Sequence, residues 1–195
     1  MQEGTYSASI ADVIKDFLNE THCSFIYDDR RDQFRFGVRL SGMIKAIEYT
    51  IDIRESEYIL YAVFPVNVNE NDGKMMAAMA EFLCRVNYDL INGRFELNMK
   101  NGEIRIKCYV DCGEIAPTTE MVMNSICFPG VMYDRYGQGI LDIIFDNAAP
   151  KEAIDRCERL AAAEHHTSLG EWVSEDTEVP KHIKIDLFGT EGGID

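Results

Sequence analysis

The sequence has few basic residues. Among 195 residues, 19 are Lys or Arg and 34 are Asp or Glu, so the formal net charge is −15. Proteins bind the phosphates of DNA and RNA largely through Lys and Arg, which neutralise the nucleic-acid backbone. The composition therefore argues against nucleic acid as a partner.

Long hydrophobic runs are also lacking, although 46% of the residues are hydrophobic. No stretch approaches the roughly 20 apolar residues that are needed to span a bilayer. The first residues lack the basic region and apolar run of a targeting segment. We expect a cytoplasmic protein without a membrane segment.

Catalytic motifs are absent as well. Gly137-Gln138-Gly139 lacks the third glycine of a dinucleotide fingerprint and follows a helical pattern instead of a strand, so it predicts a helix interruption. Asp134, Asp142 and Asp146 are interpreted as solvent-facing charges of an amphipathic helix. We expect no enzyme activity, no catalytic residue and no cofactor. The alternative is a small-molecule sensor or an enzyme whose site leaves no motif.

The cysteines do not form the dense framework of a secreted, disulfide-linked domain. Reduced and mostly buried thiols are expected. If Cys108 and Cys112 share a strand, they lie roughly 13 Å apart, too far to chelate one ion. His22 and Cys23 are adjacent, and neighbours rarely supply the geometry of a base and its nucleophile. No metal site is predicted.

Hydrophobic residues at helical spacing predict four helices. The first begins near Ser9 and is capped by Ser7 or Ser9. The second is capped by Asn71 or Asp72 and ends near Asn92-Gly93. The third covers 117–147, where Pro129-Gly130 is expected to bend or interrupt it. The fourth begins at Pro150.

Alternating hydrophobic residues predict five strands. Two of them cover 34–40 and 47–53. A third, 58–66, is apolar on both faces and is expected to be the most buried, with Pro65 at its end. Segments 95–99 and 104–110 flank Asn101-Gly102, which predicts a hairpin with a type I′ turn.

The composition changes near residue 164. From Glu164 to Asp195 the chain carries eight acidic residues and two lysines. We divide the sequence into a domain of residues 1–164 and an acidic extension of residues 165–195. The segment 181–187 alternates like a strand and can add to a sheet edge, whereas the charge equally fits a disordered terminus.

The order of these elements resembles that of the YbjN family of bacterial proteins. The residues that carry the resemblance are the helix end with Leu83, Val86 and Asn87, the segment Asn92-Gly93-Arg94-Phe95, the Asn101-Gly102 hairpin, and the helix with Ile140, Asp142 and Ile144. The resemblance covers roughly residues 5–160. The acidic extension and Pro129-Gly130 depart from the family pattern.

The resemblance implies a fold and a way of working. YbjN proteins are labelled as proposed sensory transduction regulators, and their fold is similar to that of type III secretion chaperones, which commonly dimerise and hold extended segments of partners. We expect an α+β fold, with a twisted antiparallel sheet of about five strands packed with helices in the order α-β-β-β-α-β-β-α-α.

The expected function is non-enzymatic protein binding, of chaperone-like or regulatory adaptor type. The expected partners are a second copy of the chain, forming a homodimer, and an extended segment of another protein. Flexible methionine side chains on the second helix suit a partner surface, although such stripes usually pack in the core. The predicted partner or dimer surface comprises Met75, Met76, Met79, Phe82, Phe95 and Leu97. Arg30, Arg31, Arg35 and Arg39 form a basic cluster that can dock an acidic segment or simply balance surface charge.

Overall fold

The computed structural model describes residues 7–40, 42–168 and 186–188, with side chains as far as residue 162. The helices are α1 (Ala8–Glu20), α2 (Gly73–Tyr88), α3 (Thr119–Asp146) and α4 (Pro150–Ser168). The strands are β1 (Phe25–Asp28), β2 (Gln33–Arg39), β3 (Ala46–Ile53), β4 (Glu57–Val63), β5 (Arg94–Leu97), β6 (Ile104–Asp111) and β7 (Asp186–Phe188).

Polar side chains start three of the helices at or near the predicted positions. Ser7 caps α1, Asp72 caps α2 and Thr118 caps α3, each by accepting a hydrogen bond from a backbone N–H of the first turn. These N–H groups have no partner inside the helix, so a side-chain acceptor satisfies them. The α2 helix ends at Tyr88, earlier than predicted.

The sheet is antiparallel and its strand order is β1-β2-β3-β4-β6-β5, with β7 also paired to β2. This confirms the α+β prediction. Two strands were not among the five predicted ones, namely β1 and β7. β1 has only four residues, so it offers no long alternating pattern, and β7 has three residues that overlap the possible added strand 181–187.

The predicted hairpin is present, because β5 pairs with β6 from Arg94 to Leu97. The predicted turn type is wrong, since Gly102 has a φ of +70° whereas Asn101 has no positive φ. The loop is longer and closes with a 2.8 Å bond from Asn98 N to Glu103 O. A Cβ on Gly102 would lie 1.8 Å from the Val68 carbonyl oxygen, so glycine is required there.

Helix α3 lies against one face of the sheet and is held there by buried tyrosines. The Tyr49 hydroxyl donates to the carbonyl of Ile126 at 3.1 Å, and the Tyr133 hydroxyl donates to the carbonyl of Ala62 at 2.8 Å. The first bond runs from sheet to helix and the second from helix to sheet. The core between these layers contains most of the large buried side chains.

Of the bend or interruption predicted at Pro129-Gly130, the interruption is wrong. The helix continues through Pro129, which is itself buried. A proline in a helix interior removes one backbone hydrogen bond. Burial of the surrounding apolar face favours the helix in spite of that loss.

The interruption predicted at Gly137-Gln138-Gly139 is also wrong, because all three residues are helical. These glycines allow close packing instead. A Cβ on Gly137 would lie 2.9 Å from Ile44 Cγ1, and one on Gly139 would lie 2.7 Å from Phe82 Cζ. The two positions let α3 approach its neighbours more closely than any larger residue would allow.

The acidic extension is described only in part. Helix α4 continues to Ser168, four residues past the predicted domain boundary, and β7 covers residues 186–188. The remainder of the predicted strand 181–187 lies outside the described residues. The described residues include no helix with the length and hydropathy of a membrane span.

Candidate functional site

The sheet has one covered face and one open face. Residues such as Phe36, Val38 and Tyr49 point to the covered face and are buried under the helices. The alternate residues form the open face, where Arg35 and Glu48 are exposed. Exposure on this face is uneven, because Gly37 and Ile59 are buried there.

A hollow of about 440 Å³ lies on this open face, and we call it the Gly37 hollow. Gly37 interrupts the alternation of β2, so no side chain rises from that position. Its cross-strand neighbour on β3 is Glu48, and the neighbour of Glu48 on β4 is Val63. The hollow is lined by Gly37, Ala46, Ile47, Glu48, Val63, Phe64, Pro65 and Asn67.

The outer edge of β2 is shared by two short strands. β1 pairs with Gln33–Phe36, and β7 pairs with Gly37–Arg39. In the second pairing Phe188 lies opposite Gly37, Leu187 opposite Val38 and Asp186 opposite Arg39. The end of β2 therefore accepts a strand from a distant part of the chain, beside the Gly37 hollow.

The opposite edge of the sheet, at β5, is closed by a side chain. Asn87, in the last turn of α2, accepts a 2.8 Å bond from the backbone N–H of Phe95 and donates a 2.9 Å bond to its carbonyl. This amide pairs with β5 as a neighbouring strand would. Such pairing removes the free backbone groups that make an edge strand a template for other chains.

Basic side chains lie near the β2 edge. Arg35 and Arg39 are exposed on the open face of β2, and Arg30 and Arg31 lie in the turn before it. Arg31 Nε lies 3.8 Å from Asp28 Oδ2 in an exposed ion pair. The chain as a whole has a net charge of −15. The β2 edge differs from it, because basic side chains lie beside backbone groups that pair with an added strand.

A second group of charges crosses the open face on β4, β5 and β6. The Arg105 guanidinium lies 4.3 Å from the centroid of the Tyr61 ring and is bonded to Glu96 at 2.8 Å. Burial would raise the pKa of Glu96, but hydrogen bonds and positive charge from Arg105 and Arg94 lower it below its ordinary value. Both arginines share this one carboxylate, so the group keeps a net positive charge.

The residues predicted to form a partner or dimer surface lie together around α2 and β5. Met76, Met79, Phe82 and Phe95 are buried inside this chain, whereas Met75 and Leu97 are half-buried. The interpretation of the methionine stripe as core accounts for the four buried residues. Of the six predicted residues, only Met75 and Leu97 keep surface that a partner could contact.

The three aspartates of α3 do not converge. Asp134 and Asp146 are exposed, as predicted, but Asp142 is buried, which corrects the solvent-facing interpretation. Asp142 accepts hydrogen bonds from Gln138 at 2.6 Å and from Arg156 of α4 at 2.8 Å. The buried carboxylate joins two helices through these bonds.

The thiols of Cys23 and Cys108 lack the lowered pKa of a reactive cysteine. Burial raises the pKa values of Cys23 and Cys108 to about 12, so both are protonated near neutral pH. None of the six cysteines forms a disulfide, and Cys84 is the most exposed of them. Within the described residues no group of three His, Cys, Asp or Glu side chains could hold a metal ion.

Sequence reasoning missed the importance of Gly37. The available signal was a lone glycine inside an alternating strand, which often marks a close approach or a missing side chain. The extent of β1, which leaves residues 37–39 to another strand, has no comparable signal.

The sequence and the structure were compared with known proteins. No family model matches the sequence, and no curated protein matches it significantly. A match is found with the crystal structure of YbjN from E. coli, proposed to be a transcription regulator, at 13% identity and a TM-score of 0.47. It covers 83% of this chain and 96% of that chain. Membership of the YbjN family stays a prediction.

Proposed function

We propose that this protein is a non-enzymatic binding module that captures an extended segment of another protein by strand addition at the end of β2. The observation that carries the proposal is the pairing of β7 with Gly37–Arg39. This pairing supports the view that the backbone N–H and C=O groups at the end of β2 can bind an added strand. In strand addition, main-chain hydrogen bonds supply affinity and side-chain positions supply selectivity.

The two edges of the sheet differ in what pairs with their backbone groups, and this difference supports the proposal. The backbone of Phe95 on β5 is already paired with the Asn87 amide. On the outer side of β2, away from β3, residues 37–39 pair with β7. A partner segment would therefore replace β7 at β2 more readily than it would enter at β5.

The Gly37 hollow also bears on the alternative function as a small-molecule sensor. Its volume lies within the range of small-ligand sites. Yet only Glu48 and Asn67 among its lining residues carry polar side chains. A ligand site usually has several convergent polar groups, so we favour a side chain of a protein segment as the occupant.

The test uses the full chain and a fluorescent peptide with the sequence of residues 181–190. Leu187→Pro weakens the resident strand because proline cannot donate to the ladder. We expect the peptide to bind the Leu187→Pro protein and to bind the unchanged protein at least tenfold more weakly, because a tethered strand competes at high effective concentration. Leu187→Ile is the matched control and should behave like the unchanged protein.

Fluorescence anisotropy measures binding, and circular dichroism verifies that each variant is folded. A folded Leu187→Pro protein that does not bind the peptide at millimolar concentration would refute strand capture at this edge. Equal binding to all three proteins would also refute it, since the peptide would then be bound elsewhere.

A further inference from the structure

We infer that the segment captured at the β2 edge carries an acidic, an aliphatic and an aromatic side chain in succession, with the aromatic one filling the Gly37 hollow. This inference rests on the proposed function and specifies its partner. It follows from the three positions of β2 that the added strand pairs with, namely Arg39, Val38 and Gly37.

The alternation of strands assigns each partner position to a face. Side chains of paired residues in an antiparallel sheet lie on the same side. Val38 is fully buried on the covered face, so the partner residue opposite it extends the core and must be apolar. The residues opposite Gly37 and Arg39 belong to the open face.

The position opposite Gly37 favours a large side chain. Gly37 contributes none, so a side chain from the added strand can extend across β2 towards Glu48 and Val63. The Gly37 hollow supplies about 440 Å³ there, bounded on one side by Val63, Phe64 and Pro65. An aromatic ring has the size to reach across a strand and the apolar surface to pack against these residues.

The position opposite Arg39 favours an acidic side chain. Arg39 is exposed on the open face, and Arg35 lies on the same face of the strand. Opposite charges on directly paired residues stabilise an antiparallel pair, and like charges destabilise it. A basic partner residue would therefore be rejected at this position.

The chain's own strand matches this pattern. The residues opposite Arg39, Val38 and Gly37 are Asp186, Leu187 and Phe188, which are acidic, aliphatic and aromatic in that order. β7 lies near the other end of the sequence from β2. A partner segment of the same chemistry would compete with β7 for the same edge.

The experiment measures the affinity of peptide variants for the full-length Leu187→Pro protein. Replacing Phe188 by Ala in the peptide should weaken binding by about tenfold, as expected for loss of a buried aromatic group. In a protein that also carries Gly37→Val, which fills the hollow, the same change should weaken binding by less than about twofold. Ala46→Leu fills the hollow from β3 and serves if Gly37→Val does not fold.

The charge requirement is tested by an exchange. Arg39→Glu should weaken binding of the unchanged peptide by about two- to fivefold, and replacing Asp186 by Lys in the peptide should restore it. A Thr190→Ala peptide, altered outside the three positions, is the control and should bind unchanged.

The outcomes separate the two proposals. If the unchanged peptide does not bind the folded Leu187→Pro protein, the proposed function fails. If it binds but the Phe188→Ala change costs the same affinity with and without the hollow filled, or the charge exchange restores nothing, the inferred chemistry of the partner fails while strand capture stands.

Discussion

Gly139 shows how a single residue sets the distance between elements. Its Cα faces the ring of Phe82 on α2 and the thiol of Cys157 on α4. In the sequence this residue, together with Gly137, indicated a break in the helix. The structure shows that neither glycine is used for backbone freedom and that both are used for their small size.

We predict that Gly139→Ala lowers the free energy of unfolding by about 1–2 kcal/mol. The added methyl group would lie within 3.0 Å of both Phe82 and Cys157, and such overpacking outweighs the higher helix propensity of alanine. Urea denaturation measures the change. Gly73→Ala is the matched control, because a Cβ there meets nothing within 4 Å, and a similar loss in that variant would contradict the explanation.

At the scale of elements, α3 is the helix that contacts both the sheet and α4 through side-chain hydrogen bonds. It packs on the sheet through Tyr49 and Tyr133, and on α4 through Glu158, Arg135 and Tyr136. Burial raises the pKa values of Tyr49 and Tyr133 well above that of a free phenol, so both hydroxyls stay protonated as donors.

We predict that Tyr49→Phe and Tyr133→Phe each lower the free energy of unfolding by about 1–2 kcal/mol. Each change removes a donor from a buried carbonyl oxygen while it keeps the ring in place. Thermal or urea denaturation measures the loss. Tyr88→Phe, at a side chain that is 88% exposed, is the control and should be neutral. A neutral result at both buried sites would mean that these hydrogen bonds do not stabilise the docking of α3.

The contact between α3 and α4 should depend on pH through Glu158. Partial burial would raise the pKa of Glu158, but hydrogen bonds from Arg135 and Tyr136 lower it below its ordinary value. A carboxylate with a lowered pKa contributes stability above its unfolded value of about 4.5, and that contribution disappears as the pH falls through the folded value.

We therefore predict that between about pH 5 and pH 3 the unchanged protein loses more stability than Glu158→Gln does. The difference should stay below about 1 kcal/mol because the ion pair is partly exposed. Urea midpoints at a series of pH values measure it. Exposed Glu152→Gln, on the same helix, should retain the full pH dependence of the unchanged protein.

At the scale of the whole molecule, the net charge of −15 governs how copies of the chain meet. Two such chains repel each other at long range, so a homodimer needs an interface with an apolar centre. We predict that self-association strengthens with salt. Raising ionic strength from about 0.01 M to about 1 M shortens the screening length from about 30 Å to about 3 Å.

Analytical ultracentrifugation at both salt concentrations tests the homodimer. The dissociation constant should fall as salt is added. A chain that stays monomeric at all protein concentrations and in both buffers would rule out the homodimer, without bearing on strand capture at β2.

The sequence by itself determined the elements whose cause is local. Hydrophobic periodicity identified α1, α2 and most strands because a period of 3.6 or 2 follows from backbone geometry. Capping by Ser7 and Asp72, and the hairpin around Gly102, follow from side-chain or backbone requirements within a few residues. The α+β class then follows from the order of these elements.

The tertiary structure alone decided the features that depend on distant residues. The continuity of α3 through Pro129 depends on the sheet beneath it, and the burial of Asp142 depends on Arg156 from another helix. β1 begins at Phe25, opposite Phe36, so it leaves the end of β2 to β7, which comes from a distant part of the sequence. Local pattern cannot encode such pairings, because their free energy belongs to contacts that form only when the chain is folded.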